Sequence, residues 1–340
     1  MSESGALHRL KVLDGWRGIS IAAVLAGHLL PLGPKSLELN NAVAGAGMAI
    51  FFTLSGFLIT SVLLRDASVP RFLVHRLMRI VPLAWLASII TLLAIGADAS
   101  VYLPHLLFYA NKEPMTITFA TQHFWSLCVE VQFYAIAAVL ALAAGRRGLY
   151  LLPVLALVVT AWRVVNHKTM VINTEFRVDE ILSGCALALA WHRWPERFKA
   201  GWLRWVPWVG MPLLLLSAHP VGGVLEYARP YVASTLVGST LALPGRNRLR
   251  QWLSGAALGY LANVSYALYI IHGCLMGSWL ASGDTMVRYL KRPLLFGATF
   301  ALAHLSTRYY ERFFIEKGRQ WAQRLPSKPL VADKAAGPVG

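Results

Sequence analysis

Long apolar stretches alternate with short polar segments along almost the whole of the 340-residue chain. A helix needs about 20 predominantly apolar residues to cross a bilayer, and most of these stretches approach that length. The pattern predicts spans at residues 18–34, 42–64, 80–97, 124–144, 149–165, 178–194, 202–218, 228–244, 256–281 and 293–310. We therefore expect an all-α protein, a polytopic membrane helical bundle of about ten transmembrane helices.

Composition and charge agree with a membrane protein. Hydrophobic residues make up 56% of the chain and charged residues only 14%, against about a quarter in soluble domains. The net charge of +16 would suit a nucleic-acid partner, but the basic residues cluster in alternate loops, as the positive-inside rule expects. We expect contact with membrane lipid and not with nucleic acid, and both termini in the cytoplasm. The segment 282–292 is an exception, because its basic residues would face outward.

The polar pattern divides the chain into two parts. Residues 1–316 form the expected transmembrane domain, and residues 317–340 a flexible, basic cytoplasmic tail. No cleavage site convincingly follows the first span, so we do not expect a cleaved signal peptide. The cysteines Cys128, Cys185 and Cys274 lie inside apolar spans and lack the spacing of zinc ligands. We therefore expect neither a disulfide framework nor a metal site.

Two ionisable residues share one face of the first span. Arg17 and His28 are eleven positions apart, which in a helix is three turns and about 16 Å along the axis. Asp14, three residues before Arg17, is placed to pair with it. Because an ionisable side chain at membrane depth costs free energy, such residues are candidates for function. For an isolated histidine, a hydrogen-bonded contact between helices is the commoner use, but the aligned Arg17 shifts the balance toward function.

A second polar stripe lies in the segment HFWSLCVEVQFY, residues 123–134. Ser126, Glu130 and Tyr134 recur every four residues, so a hydroxyl, a carboxylate and a phenol line one helix face. A carboxylate at this depth needs a positive or hydrogen-bond-donating partner. Glu130 is therefore either a catalytic group or the partner of a buried arginine in an ion pair that joins two helices.

Three further segments carry polar residues inside spans or near their ends. Arg76 and Arg79 precede the third span, where arginines either anchor a helix at the membrane surface or bind phosphate groups. Arg177 lies at the outer entrance of the sixth span. His272 shares a face of the ninth span with two tyrosines, which suits the lining of a wet cavity. Hydrogen bonding within the core is the commoner use of one such histidine.

Six motifs occur together along the chain: LDGWRGISIAAVLAGH, FFTLSGFLI, RLMRIVPLAWL, FWSLCVEVQFY, NVSYALYIIH and YYERFFIE. In this order they resemble integral-membrane acyltransferase family 3, from about Leu13 to Glu316. The resemblance implies that residues 1–316 are a transmembrane acyltransferase domain. Such a domain transfers an acyl group, usually acetyl from acetyl-CoA, to a hydroxyl of a carbohydrate or similar acceptor. It also implies a place in the cell inner membrane, acyl-CoA as donor substrate and no permanently bound cofactor.

The resemblance assigns roles to particular residues. The family's catalytic histidine falls on His28, and the arginine that accompanies it falls on Arg17. The family's carboxylate falls on Glu130, with two departures close to it. Cys128 stands where serine is usual, and Val131 stands where a second acid is usual. A role shared between two carboxylates therefore does not carry over.

These residues suggest a mechanism. Acyl-CoA would enter from the cytoplasm with its phosphates near Arg76, Arg79 and Arg17, while its pantetheine arm reaches His28. His28 would act as general base on the acceptor hydroxyl. Glu130 would orient the imidazole or the acceptor, or balance the charge of the imidazolium that forms. The competing route is an acyl-histidine intermediate. The expected substrate-binding residues are Asp14, Arg17, Arg76, Arg79, Ser126, Tyr134, Arg177 and His272.

Two other classes of protein also use buried polar residues. A multispan transporter or flippase for a lipid-linked sugar would line its substrate pathway with them, but the two halves of this sequence show no convincing repeat. A degenerate family member that acts as a scaffold or sensor would have no need of Arg17, His28 and Glu130 together. The sequence therefore favours an enzyme.

Overall fold

The computed structural model describes residues 11–66 and 68–326. This part of the chain contains fourteen α-helices and no strand, which confirms the all-α prediction. The helices are α1 (Lys11–Leu29), α2 (Leu39–Arg65), α3 (Val69–Ala94), α4 (Tyr102–Leu106), α5 (Phe124–Gly148), α6 (Leu152–Val165), α7 (Thr174–Arg177), α8 (Asp179–Arg193), α9 (Val206–Ala218), α10 (Arg229–Ser239), α11 (Arg248–Leu253), α12 (Ala256–Met276), α13 (Thr285–Leu305) and α14 (Arg312–Arg324). Short 3-10 segments lie at Lys35–Leu37, Ala99–Val101, Phe119–Thr121, Leu149–Leu151, Pro195–Lys199, Gly201–Trp205, Pro220–Ala228 and Trp279–Ala281, and a π-helical turn at Ser306–Glu311 joins α13 to α14. Each predicted span overlaps one of these helices.

Fewer helices than predicted have the length and composition of membrane spans. In the described part of the chain, four helical segments are long and apolar enough to cross a membrane: Leu39–Arg65, Val69–Ala94, Phe124–Val165 and Ala256–Met276. The pair Gly201–Ala218 and Pro220–Ser239, bent by 117°, is a fifth if its two helices form one span. The predicted number of transmembrane helices is therefore not confirmed. One physical reason is that turns interrupt the apolar stretches, since α8 and α10 have only 15 and 11 residues.

The centre of the bundle is α2, which packs on α1, α8 and α9. Two glycines bring α2 and α8 together at the level of their backbones. A Cβ atom added to Gly56 would overlap the carbonyl oxygen of Ile181, and one added to Gly184 would overlap that of Thr53. Small residues permit this close approach between helices. On its other side α1 packs on α12, which brings the polar residues of these two helices together.

The first helix ends earlier than predicted. The predicted span ran from 18 to 34, whereas α1 ends at Leu29, before Pro31. The side-chain amide of Asn40 donates to the carbonyl oxygens of Gly27 at 2.7 Å and Leu30 at 2.6 Å, which satisfies two acceptors that a helix end leaves open. His28 therefore lies in the last turn of α1. Since α1 is continuous, Arg17 and His28 keep their expected separation of about 16 Å along the axis.

The last described helix, α14, packs along α3. Gly318 lies against Met78, and the guanidinium of Arg71 donates to the carbonyl oxygen of Leu325 at 2.7 Å. The predicted tail of residues 317–340 thus begins with helical, packed residues as far as Arg324. The remainder of that predicted tail, residues 327–340, lies outside the described residues, as do residues 1–10.

Candidate active site

Two adjoining cavities lie between α1, α2, α5 and α12. The first, here called the histidine cavity, has a volume of about 210 Å³ and is lined by three histidines, His28, His123 and His272. The second, the arginine cavity, has a volume of about 60 Å³ and is lined by three arginines and a carboxylate, Arg17, Arg76, Arg79 and Glu130. Met48 and Tyr269 line both cavities, so the two share a wall.

The histidine cavity gathers residues from three separate parts of the chain. Nδ1 of His28 lies 3.0 Å from Nε2 of His272, and the two rings are nearly parallel, with their centres 5.2 Å apart. The ring of His123, just before α5, has its centre 5.7 Å from that of His272. The sequence analysis singled out His28 and His272 but did not predict their contact. Among the described residues, no group of three His, Cys, Asp or Glu side chains is arranged to hold a metal ion.

Neighbouring side chains hold this group of rings in place. The hydroxyl of Tyr269 donates to the carbonyl oxygen of His123 at 2.8 Å and accepts from the hydroxyl of Ser126 at 2.7 Å. A Cβ atom added to Gly273 would overlap the ring of His123. Ser126, predicted to bind substrate, therefore supports the wall between the two cavities, and Gly273 leaves the space that the His123 ring fills.

Glu130 belongs to the arginine cavity. Its Oε1 accepts hydrogen bonds from the hydroxyls of Ser55 at 2.6 Å and Tyr134 at 2.7 Å, so Tyr134 meets Glu130 as the helical spacing predicts. Its carboxylate interacts electrostatically with both Arg17 and Arg79. The structure does not bring Glu130 to His28, whose side chain contacts His272 instead. The reason is that Glu130 lies near the Arg17 end of α1, not near its last turn.

Asp14 and Arg17 lie close enough to interact electrostatically, as their spacing on α1 predicts. The positive charges of Arg79 and Arg76 also act on Arg17. Like charges repel, and three carboxylates, Asp14, Glu130 and Glu311, offset part of this repulsion. The first helix thus supplies both an arginine to one cavity and a histidine to the other.

Two basic grooves open beside the arginine cavity. One has a volume of about 550 Å³, lies between α3 and α14, and is lined by basic residues that include Arg71, His75, Arg76, Arg79 and Arg319. The other, of about 680 Å³, has Arg17, Arg79, Arg308, Arg312 and Arg319 along it. Arg79 lines the arginine cavity and both grooves, so it stands where all three meet. The sequence did not assign the arginines of α14 and of the π-helical turn to this site, although the polar face of α14 is visible in its pattern of charges.

Arg177 lines the histidine cavity and belongs to a network of buried charges. Its guanidinium lies 5.3 Å from the ring centre of Trp125 and forms ion pairs with Glu180 at 3.6 Å and Glu226 at 3.8 Å. The same network contains Arg163, Asp179 and Arg229. Sequence reasoning missed Arg163, Glu226 and Arg229. The signal that could have found Arg163 was its place within an apolar stretch.

The sequence was compared with protein families and with known proteins. A family model described as an acyltransferase domain, of the acyltransferase 3 type, matches residues 10–306. The chain belongs to integral-membrane acyltransferase family 3. Membership of acyltransferase family 3 favours an enzyme over the transporter that was considered from the sequence.

Several known proteins resemble the chain. The peptidoglycan O-acetyltransferase OatA of Listeria monocytogenes is 24% identical over 88% of this chain and 54% of its own length. The O-acetyltransferase OatA of Staphylococcus aureus is 23% identical over 93% of this chain and 59% of its own length. Nodulation protein 10 of Rhizobium leguminosarum is 25% identical over 70% of this chain and 73% of its own length. The chain spans about half the length of the first O-acetyltransferases that it matches. No solved structure matches it.

Proposed function

We propose that this protein is an integral-membrane O-acyltransferase that moves an acyl group, with acetyl expected, from acyl-CoA to a hydroxyl of a carbohydrate or glycoconjugate. His28 is the general base of this proposal. The observation that carries it is the shared wall of the two cavities. An imidazole lies on one side, and a set of arginines suited to a phosphate-bearing donor lies on the other.

The basic grooves support acyl-CoA as the donor. Coenzyme A carries phosphate groups at one end and its thioester at the end of a long, unbranched arm. Arginine guanidinium groups are well suited to bind phosphate, and Arg79 stands where both grooves meet the arginine cavity. The narrow arginine cavity leads from there toward the wall formed by Met48 and Tyr269. The distance of about 16 Å along α1 from Arg17 to His28 is of the order that the arm must cover.

The histidine cavity supports a carbohydrate acceptor. Its lining includes the amide side chains Asn41 and Gln122 and the aromatic rings of Phe119 and Trp125. Amides and arginines bind sugar hydroxyls, and aromatic rings pack on the apolar faces of sugar rings. The relatives named as peptidoglycan O-acetyltransferases agree with an acceptor of this class.

The reaction follows from these positions. The acceptor hydroxyl gives its proton to His28 while its oxygen attacks the thioester carbonyl carbon. The tetrahedral intermediate then breaks its carbon–sulfur bond, and the proton on the imidazole passes to the departing thiolate of coenzyme A. No permanently bound cofactor takes part. The competing route, an acyl group held on His28, would show itself as labelled His28 after incubation with acetyl-CoA alone.

The proposed orientation follows from the charges. The basic grooves face the cytoplasm in this proposal, where acyl-CoA is made, and the histidine cavity opens toward the opposite side of the cell inner membrane. Lysines and arginines concentrate on cytoplasmic loops, which supports this placement and cytoplasmic termini.

A labelling experiment tests the proposal. The purified protein in lipid nanodiscs is incubated with acetyl-CoA that carries a radiolabelled acetyl group, and with peptidoglycan fragments or chitin oligosaccharides as acceptors. We expect label on a glycan in an ester bond. Movement of a labelled glycan across a vesicle membrane without acylation would instead support the transporter interpretation, and label from acetyl-CoA on neither class of glycan would remove these acceptors from the proposal.

Arg79→Ala is expected to raise the KM for acetyl-CoA about tenfold, because a hydrogen bond to a charged phosphate is lost, and to leave the KM for the acceptor unchanged. Initial rates at varied concentrations of each substrate provide both values. Arg147→Ala is the matched control, since Arg147 is exposed and lines neither the cavities nor the grooves described above. An unchanged KM for acetyl-CoA in Arg79→Ala would remove this arginine from the donor site.

A further inference from the structure

The contact between His28 and His272 determines where the protons of both rings lie. Nδ1 of His272 is 3.1 Å from the carbonyl oxygen of Leu268, one turn earlier in α12. A carbonyl oxygen can only accept a hydrogen bond, so Nδ1 of His272 must carry a hydrogen. In the neutral ring the other nitrogen, Nε2, is then an acceptor.

The position of the hydrogen on His28 follows from that of His272. Nε2 of His272 lies 3.0 Å from Nδ1 of His28. Because Nε2 of His272 is an acceptor, Nδ1 of His28 must be the donor of this hydrogen bond and carry the hydrogen. The free lone pair of neutral His28 is therefore on Nε2, on the far side of its ring from His272.

The surroundings favour the neutral form of the pair. The ring of His272 is fully buried, with 0% of the residue exposed, whereas His28 is open to the histidine cavity. Within residues 11–66 and 68–326, no carboxylate hydrogen-bonds to either ring, and a buried imidazolium without such a partner is costly. The nearest other titratable rings to His272 are those of Tyr269 and His123, with centres 5.6 and 5.7 Å away, and neither is a carboxylate.

We propose that His272 is the positioning residue for His28: it accepts the Nδ1 hydrogen of His28 and so holds the Nε2 lone pair toward the acceptor hydroxyl. This inference rests on the proposed function, in which His28 is the base. His272 thereby does for His28 what a carboxylate does for the histidine of a hydrolase triad, holding one tautomer and one ring orientation. When Nε2 of His28 takes the hydroxyl proton, Nδ1 keeps its hydrogen and its bond to His272, and the new positive charge lies against a lone pair. The proton then leaves from Nε2 to the thiolate of coenzyme A.

The experiment measures the tautomer directly. The full chain in nanodiscs, with isotope-labelled histidine, is studied by NMR at a pH where the imidazoles are neutral, and the signals that vanish in His28→Ala are assigned to His28. We expect a protonated Nδ1 and a bare Nε2 in the wild type. In His272→Leu the tautomer equilibrium of His28 should shift toward the form that carries its proton on Nε2. If His272 served only to pack against His28, its replacement would not shift this tautomer equilibrium.

Kinetics provide the second measurement, with acetyl-CoA as donor and peptidoglycan fragments or chitin oligosaccharides as acceptors. His272→Leu is expected to lower kcat about 100-fold, the size of effect that follows loss of an orienting partner, with little change in either KM. His272→Gln should recover much of this loss, because its side-chain oxygen can accept the Nδ1 hydrogen of His28.

Two results would overturn the inference: a proton on Nε2 of His28 in the wild type, or a folded His272→Leu protein with wild-type kcat. The wild-type spectrum decides the matter even if His272→Leu fails to fold. If the expected tautomer is found but His28→Ala transfers the acyl group at the wild-type rate, His28 is not the base and His272 has no positioning role, while the pairing of the two rings stands. If the wild type acylates no glycan, the proposed function fails, and the tautomer of His28 still tests the pairing.

Discussion

Replacing His28 by alanine is expected to lower the rate of acyl transfer about 1,000-fold, within the range that a general base contributes. The imidazole is open to the histidine cavity, lies in the last turn of α1 and has its Nδ1 held by His272. Alanine leaves the hydroxyl of the acceptor without a base and adds no strain, since it is a good helix former. Transfer of label from acetyl-CoA to the glycan measures the effect.

The control for His28→Ala is His167→Asn. His167 is exposed and has a positive φ of 51°, which asparagine tolerates, and it lies in neither cavity. This variant should keep wild-type turnover. Both proteins should elute as the wild type does in size-exclusion chromatography. Wild-type turnover in His28→Ala would contradict the assignment of the base.

Glu226→Ala is expected to cause the largest loss of stability, about 3–5 kcal/mol, because it breaks a buried ion network by removing one partner. Oε1 of Glu226 accepts from Arg163 at 3.0 Å, from Arg229 at 3.2 Å and from the backbone amide of Met170 at 2.8 Å. Its side chain is only 6% exposed. Without this carboxylate, the buried guanidinium groups of α6, α7 and α10 face one another with less negative charge between them.

Denaturant or thermal unfolding of the purified protein measures this loss. Glu196→Ala is the matched control, because Glu196 also pairs with a basic residue, Lys199 at 2.7 Å, but its side chain is 77% exposed. Surface ion pairs contribute little, so its Tm should stay close to the wild-type value. A Tm for Glu226→Ala as high as that of the control would show that the network does not hold these helices together.

The helix α1 has some features that follow from local sequence and others that do not. Helical spacing alone places Arg17 and His28 on one face, because a continuous helix has one geometry. The end of this helix was predicted less well. The apolar pattern runs on past Leu29, and the end of the helix depends on Pro31 and on Asn40, whose side chain returns from the start of α2.

Glu130 shows the same division between local and distant contacts. Its contact with Tyr134 follows from a spacing of four residues on α5. Its second contact, with Ser55, joins residues 75 positions apart, and the periodicity of the sequence cannot predict such a pair. The hypothesis that Glu130 orients His28 had motif order in its favour, but the packing of the helices gives His28 a different neighbour.

The chain by itself determined the helical class, the family and the chemical groups of the site, because helix periodicity and motif order are properties of neighbouring residues. Tertiary structure alone decided which groups touch. It paired His28 with His272 across 244 positions, separated the carboxylate from the imidazole, and brought the arginines of α14 to Arg79. The physical reason is that these contacts depend on how helices cross. The crossing of α1 and α12, for example, brings Gly18 against the backbone of Leu258, where a side chain would not fit.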